Sequence, residues 1–296
     1  MAKQKTYHPL PFYFYISILW LVSRLPFRAQ MQLGTMIGWL SYYLIKKRRQ
    51  TTYRNIEACF PELDRAAQRQ LVKKSYYSMG KSLLETATGL MSPVERWLPR
   101  FTIAHREILD DAIATGRPVI ILSGHFGSLD LFGCFLQSLT PFAVIQRAHD
   151  NPRLDKLISQ SRARFGRQPI DRKAMREMIK VLRKEQMPLW IGPDQDLGRQ
   201  ASVFAPFFGV ETATVTSFAK LAQLSKAIVV PMSCHRTANG YIGRACSPIE
   251  FGDDERHNAA LYNQWLEQEI RRAPEQYLWQ HRRFKTRPDP TENFYR

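Results

Sequence analysis

The chain has 296 residues, with 43 Lys+Arg against 26 Asp+Glu and a formal net charge of +17. Hydrophobic residues make up 44% and aromatics 12%, enough to bury a sizeable core, so disordered and fibrous classes are excluded. The positive excess calls for a polyanionic partner: nucleic acid, an anionic membrane leaflet or an acidic protein. Zinc-finger spacing, an RNP-like aromatic strand and a heptad-bearing basic helix are all missing, and the basic residues are spread along the chain. Nucleic acid is therefore not expected. Cys59, Cys134, Cys234 and Cys246 lie 75, 100 and 12 residues apart with no CxxC, which suits neither a zinc site nor a disulfide framework. They read as small core residues in a reducing compartment.

The N-terminal part differs from the rest. Residues 9–23 carry no charge and five aromatics, among them Phe12 and Trp20, and residues 29–45 are again uncharged, followed at once by Lys46, Lys47, Arg48 and Arg49. A full span needs about 20 apolar residues, so these runs are short for one. Two readings stand: buried core helices, or a monotopic membrane-attached hairpin or one short span, with aromatics at headgroup depth and the basic quartet against an anionic surface. The expected organisation is a membrane-anchoring helical segment at 1–49 and a catalytic domain at 50–296. Gly34 and Gly38 form a GxxxG, a weak signal in a mixed segment.

From residue 50 onward the pattern is that of an α/β domain. Val72, Tyr76, Met79 and Leu83 keep the spacing of one helical face, as do Met175, Met178, Ile179 and Leu182, and later Tyr262, Trp265, Leu266 and Ile270. Short apolar runs at 118–122, 143–146, 188–192 and 227–232 read as buried strands. Strands alternating with helices predict a largely parallel sheet flanked by helices, with the chemistry just beyond the strand ends.

After the first run stands Ser123-Gly124-His125-Phe126-Gly127-Ser128-Leu129-Asp130, leading into an apolar helical stretch. A separation of five residues puts side chains about 140° apart on a regular helix, so His125 and Asp130 meet only if His125 lies in the turn before it. In that geometry the carboxylate orients one imidazole nitrogen and leaves the other as a general base. After the third run comes Gly192-Pro193-Asp194-Gln195-Asp196-Leu197-Gly198, two carboxylates in a loop, then the Phe-rich stretch 202–209. No EF-hand or phosphate loop accompanies the pair, so a turn with carboxylates capping backbone groups stands beside a metal site as a reading. The Phe-rich stretch is either core or the wall of an apolar ligand channel.

His125-x4-Asp130, the Gly192–Gly198 block, Ala205-Pro206-Phe207-Phe208-Gly209, and the ending His281-Arg282-Arg283-Phe284-Lys285-Thr286-Arg287-Pro288 resemble the bacterial lipid A late acyltransferases of the lauroyl type. These lie within the wider glycerolipid acyltransferase superfamily, which shares the histidine and acid. The resemblance covers essentially the whole chain, including residues 55–62 and 150–152. Many relatives carry Glu at the Asp130 position or Trp before it, and a Tyr where Gln146 stands.

The resemblance implies an enzyme without cofactor or metal. It would move a fatty acyl chain from acyl carrier protein to a hydroxyl of an acyl chain on a Kdo-bearing lipid A precursor, at the cytoplasmic face of the inner membrane. Acidic carrier protein, phosphorylated glycolipid acceptor and anionic membrane lipids would all favour a cationic protein. His125 and Asp130 are then the expected catalytic pair. Arg147 and Arg164 match positions near the family's active site, where a guanidinium can hold a phosphate or a developing oxyanion, and Asp194 and Asp196 are expected to order their loop by hydrogen bonds. Two alternatives remain: an acyltransferase with another donor or glycolipid acceptor, and a non-catalytic lipid binder on the membrane.

Overall fold

A computed structural model describes residues 9–296; the stretch 1–8 of the expected anchor lies outside the described residues. Helices α1 (Pro9–Arg24) and α2 (Phe27–Leu44) are separated by Leu25 and Pro26, the proline stopping one helix and preceding the other. Helix α3 (Lys46–Cys59) starts on the basic quartet, so the expected boundary between residues 49 and 50 falls inside a helix. Asp64 then caps the 27-residue α4 (Arg65–Met91), its carboxylate accepting from the Ala67 N–H.

The rest builds the sheet: β1 (Phe101–Ala104), α5 (Arg106–Ala114), β2 (Val119–Leu122), α6 (Leu129–Gln137), β3 (Ala143–Gln146), α7 (Pro152–Ala163), β4 (Ile170–Asp171), α8 (Met175–Arg183) and β5 (Leu189–Ile191). There follow β6 (Ser202–Phe207), β7 (Val210–Val215), α9 (Ser217–Ser225), β8 (Ile228–Arg236), β9 (Tyr241–Ala245) and α10 (Glu255–Arg272). Seven strands pair in the order β1-β9-β8-β2-β5-β3-β4, parallel throughout except for β8 against β9. The four apolar runs became β2, β3, β5 and β8, of which β2, β5 and β8 form the buried centre of the sheet, while β3 is only partly buried. The Phe-rich stretch became half of the separate β6–β7 hairpin, whose two-residue turn, Phe208 and Gly209, has positive φ at both positions.

Helix α10 buries Tyr262, Trp265, Leu266 and Ile270 on one side of the sheet with α8 and α9, while α5 and α6 cover the other. In α4 the expected face is only partly core. Val72 and Tyr76 are buried, but Leu83, one turn past Met79, is exposed.

Helix α2 packs on α4 at unusually close range. A Cβ added at Gly34 would lie 2.6 Å from Lys81 Cα, and one at Gly38 2.6 Å from Tyr77 Cα. The GxxxG is thus a packing surface within the chain. What α1 and α2 do not bury is largely apolar: Phe14, Leu21, Trp39, Tyr43 and Leu44 are exposed, alongside the polar Arg24, Arg28 and Gln32. None of the described helices is long and apolar enough to cross a membrane. These helices are docked on the domain by one face and bare on the other, so the buried-core reading holds for one face only.

Candidate active site

Strands β2, β3 and β5 end side by side, and the residues beyond them line a cleft of about 1050 Å³. Its walls include Val144, Phe165, Met178, Trp190, Phe218 and Leu221; its polar end holds His125, Asp130, Arg162, Asp196 and His281. This is where an open α/β sheet is expected to bind its ligand.

His125 sits in the turn between β2 and α6, which the chain's C-terminal segment pins from outside. The Leu278 N–H donates to the His125 carbonyl at 3.1 Å and the Gly127 N–H to the Gln276 carbonyl at 2.9 Å. The imidazole does not meet Asp130. Its Nδ1–H donates to Asp194 Oδ1 at 2.5 Å, and the His125 backbone N–H donates to Asp194 Oδ2 at 2.9 Å. Asp194 is almost wholly buried, whereas the His125 side chain keeps 29% of its exposure. Burial of the ring disfavours its protonation, but the charge and hydrogen bond of Asp194 outweigh that, and the His125 pKa rises above its ordinary 6.5. Burial likewise pushes the Asp194 carboxyl up, yet His125 pulls it further down, to about 2.

The expected His125–Asp130 hydrogen bond is therefore replaced. Asp130 lies in the first turn of α6, which turns its carboxylate toward α7 and α4. Arg162 Nη2 donates to its Oδ1 at 2.6 Å and Arg162 Nε at 3.1 Å, while the Thr86 hydroxyl donates to Oδ2 at 3.4 Å. Arg162 Nη1 also donates to Gln146 Oε1 at 3.2 Å. The sequence pointed to Arg164, the residue that follows the end of α7, rather than to Arg162 within it; at two residues' separation in helical backbone, their side chains point about 200° apart. Arg164 turns the other way, donating to the Gly89 and Ser161 carbonyls and the Ser161 hydroxyl, and does not line the cleft. Arg147 does line it, at the exposed mouth beside Asp150.

Asp196 does what a loop carboxylate is expected to do. It accepts from the Gly198 N–H at 2.9 Å, the Thr286 N–H at 2.7 Å and the Thr286 hydroxyl at 2.8 Å, while its own N–H donates to His281 Nε2 at 3.1 Å. Burial holds the His281 pKa below its ordinary value, consistent with Nε2 as an acceptor. His281 and Thr286 were visible in the sequence only as part of a C-terminal block. Nothing in their spacing announced that the block folds back onto the loop holding Asp194.

Among the described residues no three His, Cys, Asp or Glu side chains are grouped to hold a metal ion. The thiols are poor nucleophiles: burial raises the Cys134 pKa to about 11 and the Cys234 pKa to about 12. With Nδ1 engaged by Asp194, the free nitrogen of His125 is Nε2, at the polar end of an apolar-walled cleft. That arrangement can take a proton from a hydroxyl, and a guanidinium in the same wall can stabilise a developing oxyanion.

A helix-covered parallel sheet with a carboxylate-oriented histidine at its strand ends suits acyl transfer to a hydroxyl. The family model described as bacterial lipid A biosynthesis acyltransferase matches residues 2–286. The lipid A biosynthesis lauroyltransferase of Escherichia coli (strain K12) is 36% identical over 288 residues, 95% of this chain and 93% of that protein. The palmitoleoyltransferase of the same strain is 34% identical, over 96% of this chain and 94% of its own length. A lipid A biosynthesis acyltransferase of Haemophilus influenzae is 33% identical over 90% and 87%. The protein is an acyltransferase. It belongs to the bacterial lipid A biosynthesis acyltransferase family.

Proposed function

We propose that the enzyme takes a fatty acyl group from acyl carrier protein and places it on a hydroxyl of an acyl chain of a Kdo-bearing lipid A precursor, at the cytoplasmic face of the inner membrane. The observation that carries this reading is the His125–Asp194 pair at the polar end of the cleft. The donor's acyl chain lies along Val144, Phe165, Met178 and Trp190, with its thioester beside His125. Nε2 accepts the proton of the acceptor hydroxyl as that oxygen attacks the thioester carbon. Arg162, itself oriented by Asp130, faces the resulting oxyanion. Collapse breaks the carbon–sulfur bond, and the imidazolium, stabilised by Asp194, returns its proton to the departing thiolate. Arg147 at the mouth meets a phosphate of the acceptor. The net charge of +17 favours acidic carrier, phosphorylated acceptor and anionic leaflet alike.

The test is transfer by purified full-length protein with several acyl carrier protein thioesters, the matching acyl-CoA esters and a lipid A precursor with or without Kdo. Transfer from the carrier to the Kdo-bearing acceptor is expected. Turnover confined to acyl-CoA would replace the donor, equal use of the acceptor without Kdo would replace the acceptor, and no transfer at all would point to a lipid binder.

A further inference from the structure

Where α2 gives way to α3, a second cavity of about 900 Å³ opens, sharing no lining residue with the catalytic cleft. Arg54, which pairs with Glu57, and Arg296 line it, and so do five further cations, Lys47, Arg49, Arg69, Lys73 and Arg282; no Asp or Glu does. Among the described residues none of these five cations forms an ion pair. Arg49 and Lys73 are gathered over one ring, that of Tyr42, with Arg49 Cζ 4.9 Å and Lys73 Nζ 5.8 Å from its centroid. The Arg49 guanidinium is further fixed by donating to the Tyr42 carbonyl at 2.8 Å. Ring faces attract each cation, but the cations repel one another, and an anion between them would relieve that repulsion.

We propose that this cavity binds the phosphate of an anionic phospholipid in the bilayer that receives the bare faces of α1 and α2. The proposal rests on the membrane placement given above. The lipid is favoured over an acidic protein because the cavity adjoins exposed Tyr43, Leu44 and Ile45, with Trp39 one turn of α2 away from Tyr43. Apolar residues, interfacial aromatics and a cluster of cations side by side match the layering of a leaflet from acyl region to headgroup.

The experiment is cosedimentation of the full-length protein with phosphatidylcholine vesicles, or with the same vesicles containing a minority of phosphatidylglycerol. A triple variant, Arg49→Gln, Arg69→Gln and Lys73→Gln, is compared with an equal-charge control, Arg183→Gln, Lys184→Gln and Lys226→Gln, whose positions lie outside both cavities; thermal unfolding checks that each folds. The cavity variant should lose about two decades of partition onto anionic vesicles, with binding to phosphatidylcholine unchanged and the control reduced far less. Equal losses in both variants would mean diffuse attraction and overturn the site. If wild type binds vesicles and the cavity variant binds them equally well, the membrane placement stands and the site falls. Failure of wild type to bind either vesicle would remove the membrane placement and the site with it. Unchanged vesicle binding with a raised KM for acyl carrier protein would assign the cavity to an acidic protein and overturn the lipid.

Discussion

Asp194 holds His125 at two points, its Oδ2 accepting from the backbone N–H at 2.9 Å and its Oδ1 from Nδ1–H at 2.5 Å. One carboxylate thereby fixes the backbone turn, the ring and its tautomer together. The two residues are 69 apart in the chain, and the C-terminal segment closes over both. Asp130, five residues from His125, is instead engaged by Arg162.

The two carboxylates should therefore fail differently. Asp194→Asn keeps the shape but loses the charge that stabilises imidazolium, and kcat should fall by about two to four decades. Asp130→Asn should also lower turnover, through a displaced Arg162. The Asp194 variant should move the acid limb of the pH profile of kcat/KM to lower pH much further than the Asp130 variant, because Asp194 is the main influence raising the His125 pKa and Asp130 a minor one. Equal displacement in both variants would make them joint partners of the histidine.

For wild type the sign is fixed by the same residue. A base must be unprotonated, and His125 binds its proton more tightly than an ordinary histidine. The pH profile of kcat/KM should thus rise with a midpoint above 6.5. A midpoint below 6.5 would mean that burial, not Asp194, governs the ring.

Arg162 and Arg164 are two residues apart with separate expected fates. Arg162→Ala should cost turnover with little change in Tm, and Arg162→Lys should recover only part of it, since a single ammonium cannot span the same set of acceptors. Arg164→Ala should instead lower Tm by a few degrees, because it removes the charge-assisted hydrogen bond to the Gly89 carbonyl and leaves it only the weak Cys134 thiol donor, at roughly 1–3 kcal/mol. Its kcat should stay within about threefold of wild type. The reverse pattern would exchange their roles.

Strands β2, β5 and β8 were legible because strands buried on both faces read as short apolar runs bounded by Pro or Gly; β3 was placed to the residue, Ala143–Gln146, although only Ala143 is fully buried. Strands β1, β4 and β9 were not. The first is half exposed, the second has two residues, and in the third, Tyr241 to Ala245, buried and partly buried residues alternate around Gly243. At the site, His125 was legible from its turn and glycines. Its partner was misread because local spacing offers only nearby acids, whereas Asp194 arrives through the pairing of β2 with β5. Leu83 shows another limit on α4: Leu84, Ala87 and Thr88 beyond it are buried, so the buried face shifts around the helix where it packs on α2 and α6, which spacing alone does not reveal.

Chelation separates hydrogen bonding from metal binding at the Asp194–Asp196 loop. Both carboxylates accept from N–H or O–H donors, so activity should be unchanged in excess EDTA. Loss on chelation, restored by Mg²⁺, would require a metal in the mechanism.

Removing the imidazole tests the account most directly. Purified His125→Ala should transfer acyl groups at least about a hundredfold more slowly than wild type, within the usual contribution of a positioned base, while its Tm stays close to that of wild type. A folded His125→Ala enzyme that kept more than about a tenth of wild-type kcat would contradict the assignment.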